Sequence, residues 1–229
     1  MSIDEMTAEH AANEVRATRD AIVEATLPQV AFDGWTMKTV DAAAQAAGCA
    51  PGTAARVFAN GVVDVLRHWA DWSDRKMLDE IASRELAAMA MRARVAAVVR
   101  ARIEVNAAHK EAVRRAISYL ALPQNMSVGT GNTLRTVDAL WYAAGDTATD
   151  FSYYTKRALL APIYVASVLY WLDDDSEGSA ETWDFLDRRL GDVLRIPRLS
   201  ARRFIMSSVI GGLSQKGWLR QPDPTGKRR

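Results

Sequence analysis

One cysteine and three histidines in 229 residues leave little from which to build a metal centre or a disulfide. Cys49 has no partner and no basic neighbour to lower its thiol pKa, and His10, His68 and His109 lie far apart with no H-E-x-x-H or E-x-x-H pair. Metal or nucleophilic catalysis is therefore disfavoured, no cofactor is expected, and a single thiol fits a reducing compartment. No apolar run reaches the roughly 18 to 20 residues that span a bilayer. The opening MSIDEMTAEH is acidic and has no hydrophobic segment, so the expectation is a bacterial-type cytoplasmic protein. Alternation of the strand type and internal repeats are also missing. Gly129-Thr130-Gly131 lacks the Lys-Ser/Thr of a P-loop, and Asp173-Asp174-Asp175 lacks the spaced ligands of a calcium loop, so the acidic run reads as a solvated helix exit.

What is present is a soluble, globular composition: 49% hydrophobic and 25% charged residues. The formal net charge of +1 conceals an asymmetry. Through Arg75 six basic residues face eleven acidic ones, from Lys76 to Ile196 fifteen face sixteen, and from Pro197 onward eight face one. This divides the chain into an N-terminal region (1–75), a larger middle region (76–196) and a basic tail (197–229).

Apolar spacing predicts helices throughout. Val15, Thr18, Ile22, Val23 and Thr26 mark a first helix over 11–27 that should end before Pro28. An Ala-rich helix over 39–47 stopped by Gly48 and a third begun by Pro51 and closed at Phe58 complete a helix-turn-helix-like start. Val62, Val65, Leu66, Trp69, Trp72, Met77 and Ile81 form the stripe of a fourth. Residues 84–122 read as helix, broken near 106–110, with Leu86, Met89, Ala93, Ala96, Val99, Ile103, Val113, Ile117 and Leu120 inward and Arg92, Arg94, Arg100 and Arg102 as a solvated face. Residues 123–130 read as a loop with Asn132 as the next cap, followed by an inner face of Leu134, Val137, Leu140 and Trp141. Trp183, Leu186, Leu190, Val193 and Leu194 mark a helix after the acidic exit.

The chain is organised around 146–172, DTATDFSYYTKRALLAPIYVASVLYWL. Its apolar surplus predicts a central helix buried on most sides, capped by Asp150 and kinked at Pro162. The pattern T-D-F-x-x-Y-T-K-R-A-x-L-A-x-I-Y over 149–164, with RRAISYLALPQN and LWYAAGDTATD before it and ETWDFLDRRLGDVL after it, resembles the lipid-binding accessory proteins of coenzyme Q (ubiquinone) biosynthesis, the Coq-nine family. The resemblance implies an all-α fold like that of the TetR regulators and an apolar pocket for an isoprenoid quinone precursor or other lipid. It also implies a partner, the di-iron demethoxyubiquinone hydroxylase, docked through Asp150, Tyr153, Tyr154, Lys156 and Arg157. At the position of Tyr153 mitochondrial members tend to carry Trp, a larger anchor.

Trp69, Trp72, Met89, Trp141, Tyr164 and Trp171 are candidate lipid-lining residues, with plain core packing as the alternative for each. In the tail, Ile205, Met206, Val209, Ile210 and Leu213 share one helical arc, with Arg202 and Lys216 at its ends. The tail is therefore a candidate helix for an anionic membrane surface, or one packed on the domain or on a dimer mate. A homodimer is the default assembly. A TetR-type DNA-binding regulator is the competing function, weakened because the would-be recognition helix offers one base, Arg56, within an acidic segment. An enzyme in its own right finds no catalytic constellation.

Overall fold

The computed structural model describes residues 3–146 and 151–194. Nine α-helices follow one another there: α1 (Ile3–Asp33), α2 (Met37–Ala46), α3 (Thr53–Val57), α4 (Val62–Ala82), α5 (Met91–Glu104), α6 (Lys110–Leu120), α7 (Met126–Ala143), α8 (Phe151–Leu172) and α9 (Ala180–Leu194). Short 3-10 turns precede α5, α6 and α9, and no strand occurs among the described residues. The all-α expectation holds.

Two apolar clusters form the core. Ile22, Val23 and Leu27 of α1 pack with Val40, Phe58 and the first half of α4, from Val62 to Trp72. Met77 and Ile81, in the second half of α4, belong to the other cluster with Val98 and Val99 of α5, Leu140 of α7, Leu160 and Ile163 of α8 and Leu186 and Leu190 of α9. Residue 75 thus lies within one continuous helix that serves both clusters. α6 is shared in the same way, giving Ala112 and Ala116 to the first cluster while Val113 and Ile117 pack on the second. The indole N–H of Trp35 donates to the Ala112 carbonyl at 3.0 Å and fixes the turn after α1 to α6.

Pro28 does not end the first helix but lies inside α1. An interior proline costs about 3 kcal/mol through a lost donor and a steric clash. Leu27 and Val30, 2% and 0% exposed, straddle it, and burying each contributes about 1.5 to 3 kcal/mol, enough to carry the helix through. The start of α7 is a second correction, since Gly129 and Gly131 are helical and Asn132 is no cap. A Cβ on Gly129 would lie 3.3 Å from Leu120 Cβ and 3.5 Å from its carbonyl oxygen. Glycine therefore serves here for the close approach of α7 to the end of α6, which outweighs its poor helix propensity.

The helix phases also differ in places. Leu134 and Met89 are exposed rather than inward, and so is Ala93, since α5 buries Val95 and Val98 along with the expected Val99. An Ala-rich helix carries too little contrast between faces to fix its rotation. Arg102 is buried, not solvated, and Asp174 of the acidic exit is buried as well. The central helix α8 runs through Pro162 unbroken, but it is not buried on most sides: Val165 and Leu169 are 40% and 48% exposed. The space beside them is the candidate site.

Candidate functional site

α4, α5, α6, α7 and α8 enclose a cavity of about 530 Å³ that opens at the surface. Its wall is apolar, with Leu66 and Trp69 from α4, Ile103 from α5, and Val113, Ile117 and Leu120 from α6. Met126 and Leu134 from α7 and Tyr164, Val165, Val168, Leu169 and Trp171 from α8 complete it. Two features of the helices create it. α7 approaches α6 closely at Gly129, so the start of α7 meets the end of α6 at Leu120. α8 also has more apolar positions than its own packing stripe of Leu160, Ile163, Ser167 and Trp171 uses, and the surplus faces the opening.

A single charged side chain, Arg102, is among the lining residues. Its Nε donates to Asp74 Oδ1 at 2.6 Å, and the Thr136 hydroxyl reaches both Asp74 oxygens at 2.9 and 3.1 Å. Burial works against the Arg102 charge, and the Asp74 carboxylate beside it more than restores it, so the guanidinium stays protonated. Beside it Ser73 donates to Asn106 at 3.3 Å. Burial pushes the Tyr164 phenol above its ordinary pKa, so it is a neutral hydroxyl donor.

Of the six candidate lining residues, the structure brings Trp69, Tyr164 and Trp171 to the cavity. Trp72 packs in the N-terminal cluster and donates to Glu24 at 3.2 Å, Trp141 packs in the second cluster, and Met89 lies on the surface. Sequence reading missed Ile117, Leu120, Val165 and Leu169 as lining residues because they sit on helical stripes that look like any core face. The surplus of apolar residues on α8 was the available signal.

The second feature joins the start of α8 to α7. The Tyr153 hydroxyl donates to Asp138 Oδ1 at 3.1 Å, Arg157 pairs with the same carboxylate, and the Arg157 guanidinium carbon lies 3.2 Å from the centre of the Tyr153 ring. Lys156 Nζ is 2.5 Å from Asp146 Oδ1 and 5.6 Å from the centre of the Trp141 ring. Tyr154 alone points away, 70% exposed, with its ring edge-on to Tyr153 at 5.1 Å. Exposed Tyr142 of α7 is one turn beyond Asp138. The structure thus ties Tyr153, Lys156 and Arg157 inward and leaves an aromatic surface at Tyr154. Asp150 and its capping role lie outside the described residues, as does the whole 197–229 tail with Arg202, Ile205, Met206, Val209, Ile210, Leu213 and Lys216.

An all-helical body with a short helical N-terminal unit and a cavity-bearing helical bundle defines the TetR-like class. A solved TetR transcriptional regulator from Nitrosomonas europaea ATCC 19718 is similar, with a TM-score of 0.61 and 21% identity over 76% of this chain and 95% of that one. Sequence relationship points to one family in particular: residues 126–197 match the model of the COQ9 family. The chain is 29% identical over 182 residues to the mitochondrial ubiquinone biosynthesis protein COQ9 of Rattus norvegicus, covering 76% of this chain and 58% of that protein. To COQ9 of Homo sapiens it is 28% identical, covering 76% and 57%, and to COQ9-B of Xenopus laevis 35% over 96 residues, covering 42% and 33%. The chain is similar to the COQ9 proteins and has a TetR-like fold, and it spans a little under three fifths of the length of the rat and human proteins. The matched stretch holds α7, α8 and α9, and so one wall of the cavity and the contacts of Tyr153, Lys156 and Arg157 with Asp138 and Asp146.

Proposed function

We propose that this protein is a non-enzymatic lipid-binding accessory protein of ubiquinone biosynthesis, holding a quinone precursor in the cavity and presenting it to the demethoxyubiquinone hydroxylase. The observation that carries this reading is the open apolar cavity of about 530 Å³, within the range of small-molecule sites, walled in part by the stretch related to COQ9. Protein purified from its source is expected to carry an isoprenoid lipid in a native mass spectrum. Protein free of lipid, together with an unchanged quinone composition in cells lacking it, overturns the reading.

Docking of the hydroxylase is assigned to the start of α8, where Tyr154 is the exposed aromatic anchor. Tyr154→Ala is expected to leave thermal stability within about 0.5 kcal/mol of the parent, as exposed substitutions do, while weakening a pull-down of the hydroxylase. Arg157→Glu is different: it opposes the Asp138 carboxylate and is expected to cost about 1 to 2 kcal/mol of stability, so its loss of binding would be ambiguous. An unchanged pull-down with Tyr154→Ala removes this surface from the proposal.

No helix among the described residues is long and apolar enough to cross a membrane. Contact with the inner face of a bacterial cytoplasmic membrane is proposed for the 197–229 tail, where each basic residue adds about 1 kcal/mol near anionic lipid. The full chain is expected to float with anionic vesicles, less so as salt rises, and a chain ending at Arg198 is expected to stay down. Equal flotation of both moves the contact elsewhere. A homodimer is part of the same proposal, and the native mass spectrum reads it directly.

The likeness to a TetR regulator raises the DNA-binding alternative, but it extends to the fold alone. α3, the would-be recognition helix, has 5 residues, and the guanidinium of Arg56 is engaged with the Thr53 hydroxyl at 2.9 Å. Sequence-selective retention in a gel shift at low salt would reinstate that alternative.

A further inference from the structure

The cavity has a polar end whose donors its own wall does not use. Among the described residues Arg102 meets two acceptors, Asp74 through Nε at 2.6 Å and the Ala70 carbonyl through Nη2 at a long 3.5 Å, and neither engages Nη1. The Tyr164 hydroxyl has no acceptor there either. The fully buried side-chain nitrogens and oxygens without a partner, again among the described residues, are Trp69 Nε1, Trp141 Nε1 and Asp146 Oδ2. Arg102 Nη1 and the Tyr164 hydroxyl are not sealed in this way, and both residues line the cavity. Arg102 as a residue is only 7% exposed and Tyr164 is half-buried, so these donors lie at the inner end of a cavity that opens at the surface.

Charge at this end is already balanced. Asp74 neutralises Arg102, and the remaining lining residues carry no charge. An anionic head would exchange its hydration for a guanidinium that another carboxylate holds at 2.6 Å, a poor trade in a low-dielectric wall. An uncharged oxygen acceptor loses far less hydration and receives the two free donors.

From this geometry we infer that the site selects an uncharged amphiphile, an apolar chain with a head bearing hydrogen-bond-accepting oxygens, and that Arg102 Nη1 and the Tyr164 hydroxyl are the residues that recognise the head. The inference rests on the lipid-binding reading and deepens it. The tail lies along Leu120, Leu134, Val165 and Leu169, and the head sits beside Arg102.

Three probes test it on the full chain by native mass spectrometry titration: a decyl-trimethyl-1,4-benzoquinone, the decyl-tetramethylbenzene of similar size without oxygens, and dodecanoate. The quinone is expected to bind about tenfold more tightly than the hydrocarbon, the net yield of hydrogen bonds from a guanidinium already paired with Asp74 and from a phenol, and more tightly than dodecanoate. Tyr164→Phe, which removes only the hydroxyl, is expected to weaken the quinone about fivefold and leave the hydrocarbon unchanged. Removing Arg102 leaves Asp74 buried and unpaired, so the Tyr164→Phe variant carries the test. Equal binding of quinone and hydrocarbon, a preference for dodecanoate, or no effect of Tyr164→Phe on the quinone overturns the head-group inference while leaving lipid binding standing. Binding of none of the three overturns the lipid reading and the inference together.

Discussion

Arg102→Met is expected to lower folding stability by about 3 to 5 kcal/mol, measured as the shift of the urea midpoint at unchanged slope. Arg102 and Asp74 are both buried, with side chains 8% exposed, and they face each other across α5 and α4. Methionine replaces the stem of arginine well enough, so the loss is not one of packing. It comes from the Asp74 carboxylate, which would keep the Thr136 hydroxyl but lose its cation in a medium that solvates charge poorly. Against a total stability of about 5 to 15 kcal/mol for a typical domain, this is a large fraction. The double variant Arg102→Met with Asp74→Leu is expected to recover most of the loss, short of about 1 kcal/mol for the unpaired Thr136 hydroxyl. A double variant no better than the single would show that the ion pair is not the cause.

Asp174→Ala is expected to cost about 2 kcal/mol, read in the same way, because one side chain organises the entry to α9. Asp174 Oδ1 accepts from the Ser176 backbone N–H at 2.8 Å and its hydroxyl at 2.6 Å, and Oδ2 accepts from the Thr182 N–H at 2.9 Å and its hydroxyl at 2.5 Å. Burial raises the pKa of this carboxyl, and the bonds from Ser176 and Thr182 override it and hold the group well below the ordinary 3.8. A carboxyl with a depressed folded-state pKa binds its proton more readily in the unfolded chain, so its contribution is fully present above about pH 4 and is lost as pH falls further. The parent should therefore lose stability on acidification below pH 4 more steeply than Asp174→Ala. Parallel acid profiles would assign the loss to other carboxylates. The flanking Asp173 is no substitute: its side chain is 77% exposed and pairs with Arg114 at 2.9 Å.

Much of the fold was legible because helical period and capping are local. The apolar stripe of α4, the C-terminal bound of α8 at Leu172 and the stop of α2 before Gly48 follow from residues within a few turns of one another. Pro28 and Gly129 were misread for a common reason. Each carries a local penalty that only a distant partner outweighs, the N-terminal core in one case and Leu120 in the other. Arg102 and Asp174 illustrate the limit for charge. One arginine among four on α5, and one aspartate among three in a row, is buried, and nothing local distinguishes it from its neighbours.

The sequence by itself determined the all-α class, the order of the helices and the family likeness, since these rest on short-range spacing and on residue identities read in order. Tertiary structure alone decided that α8 leaves Val165 and Leu169 beside an open cavity, that Tyr153, Lys156 and Arg157 turn inward while Tyr154 does not, and that Arg102 stands at the polar end of that cavity. The physical reason is rotation about the helix axis. At about 100° per residue, a helix with apolar residues on several faces satisfies its own pattern in more than one orientation, and only packing against the other helices selects one.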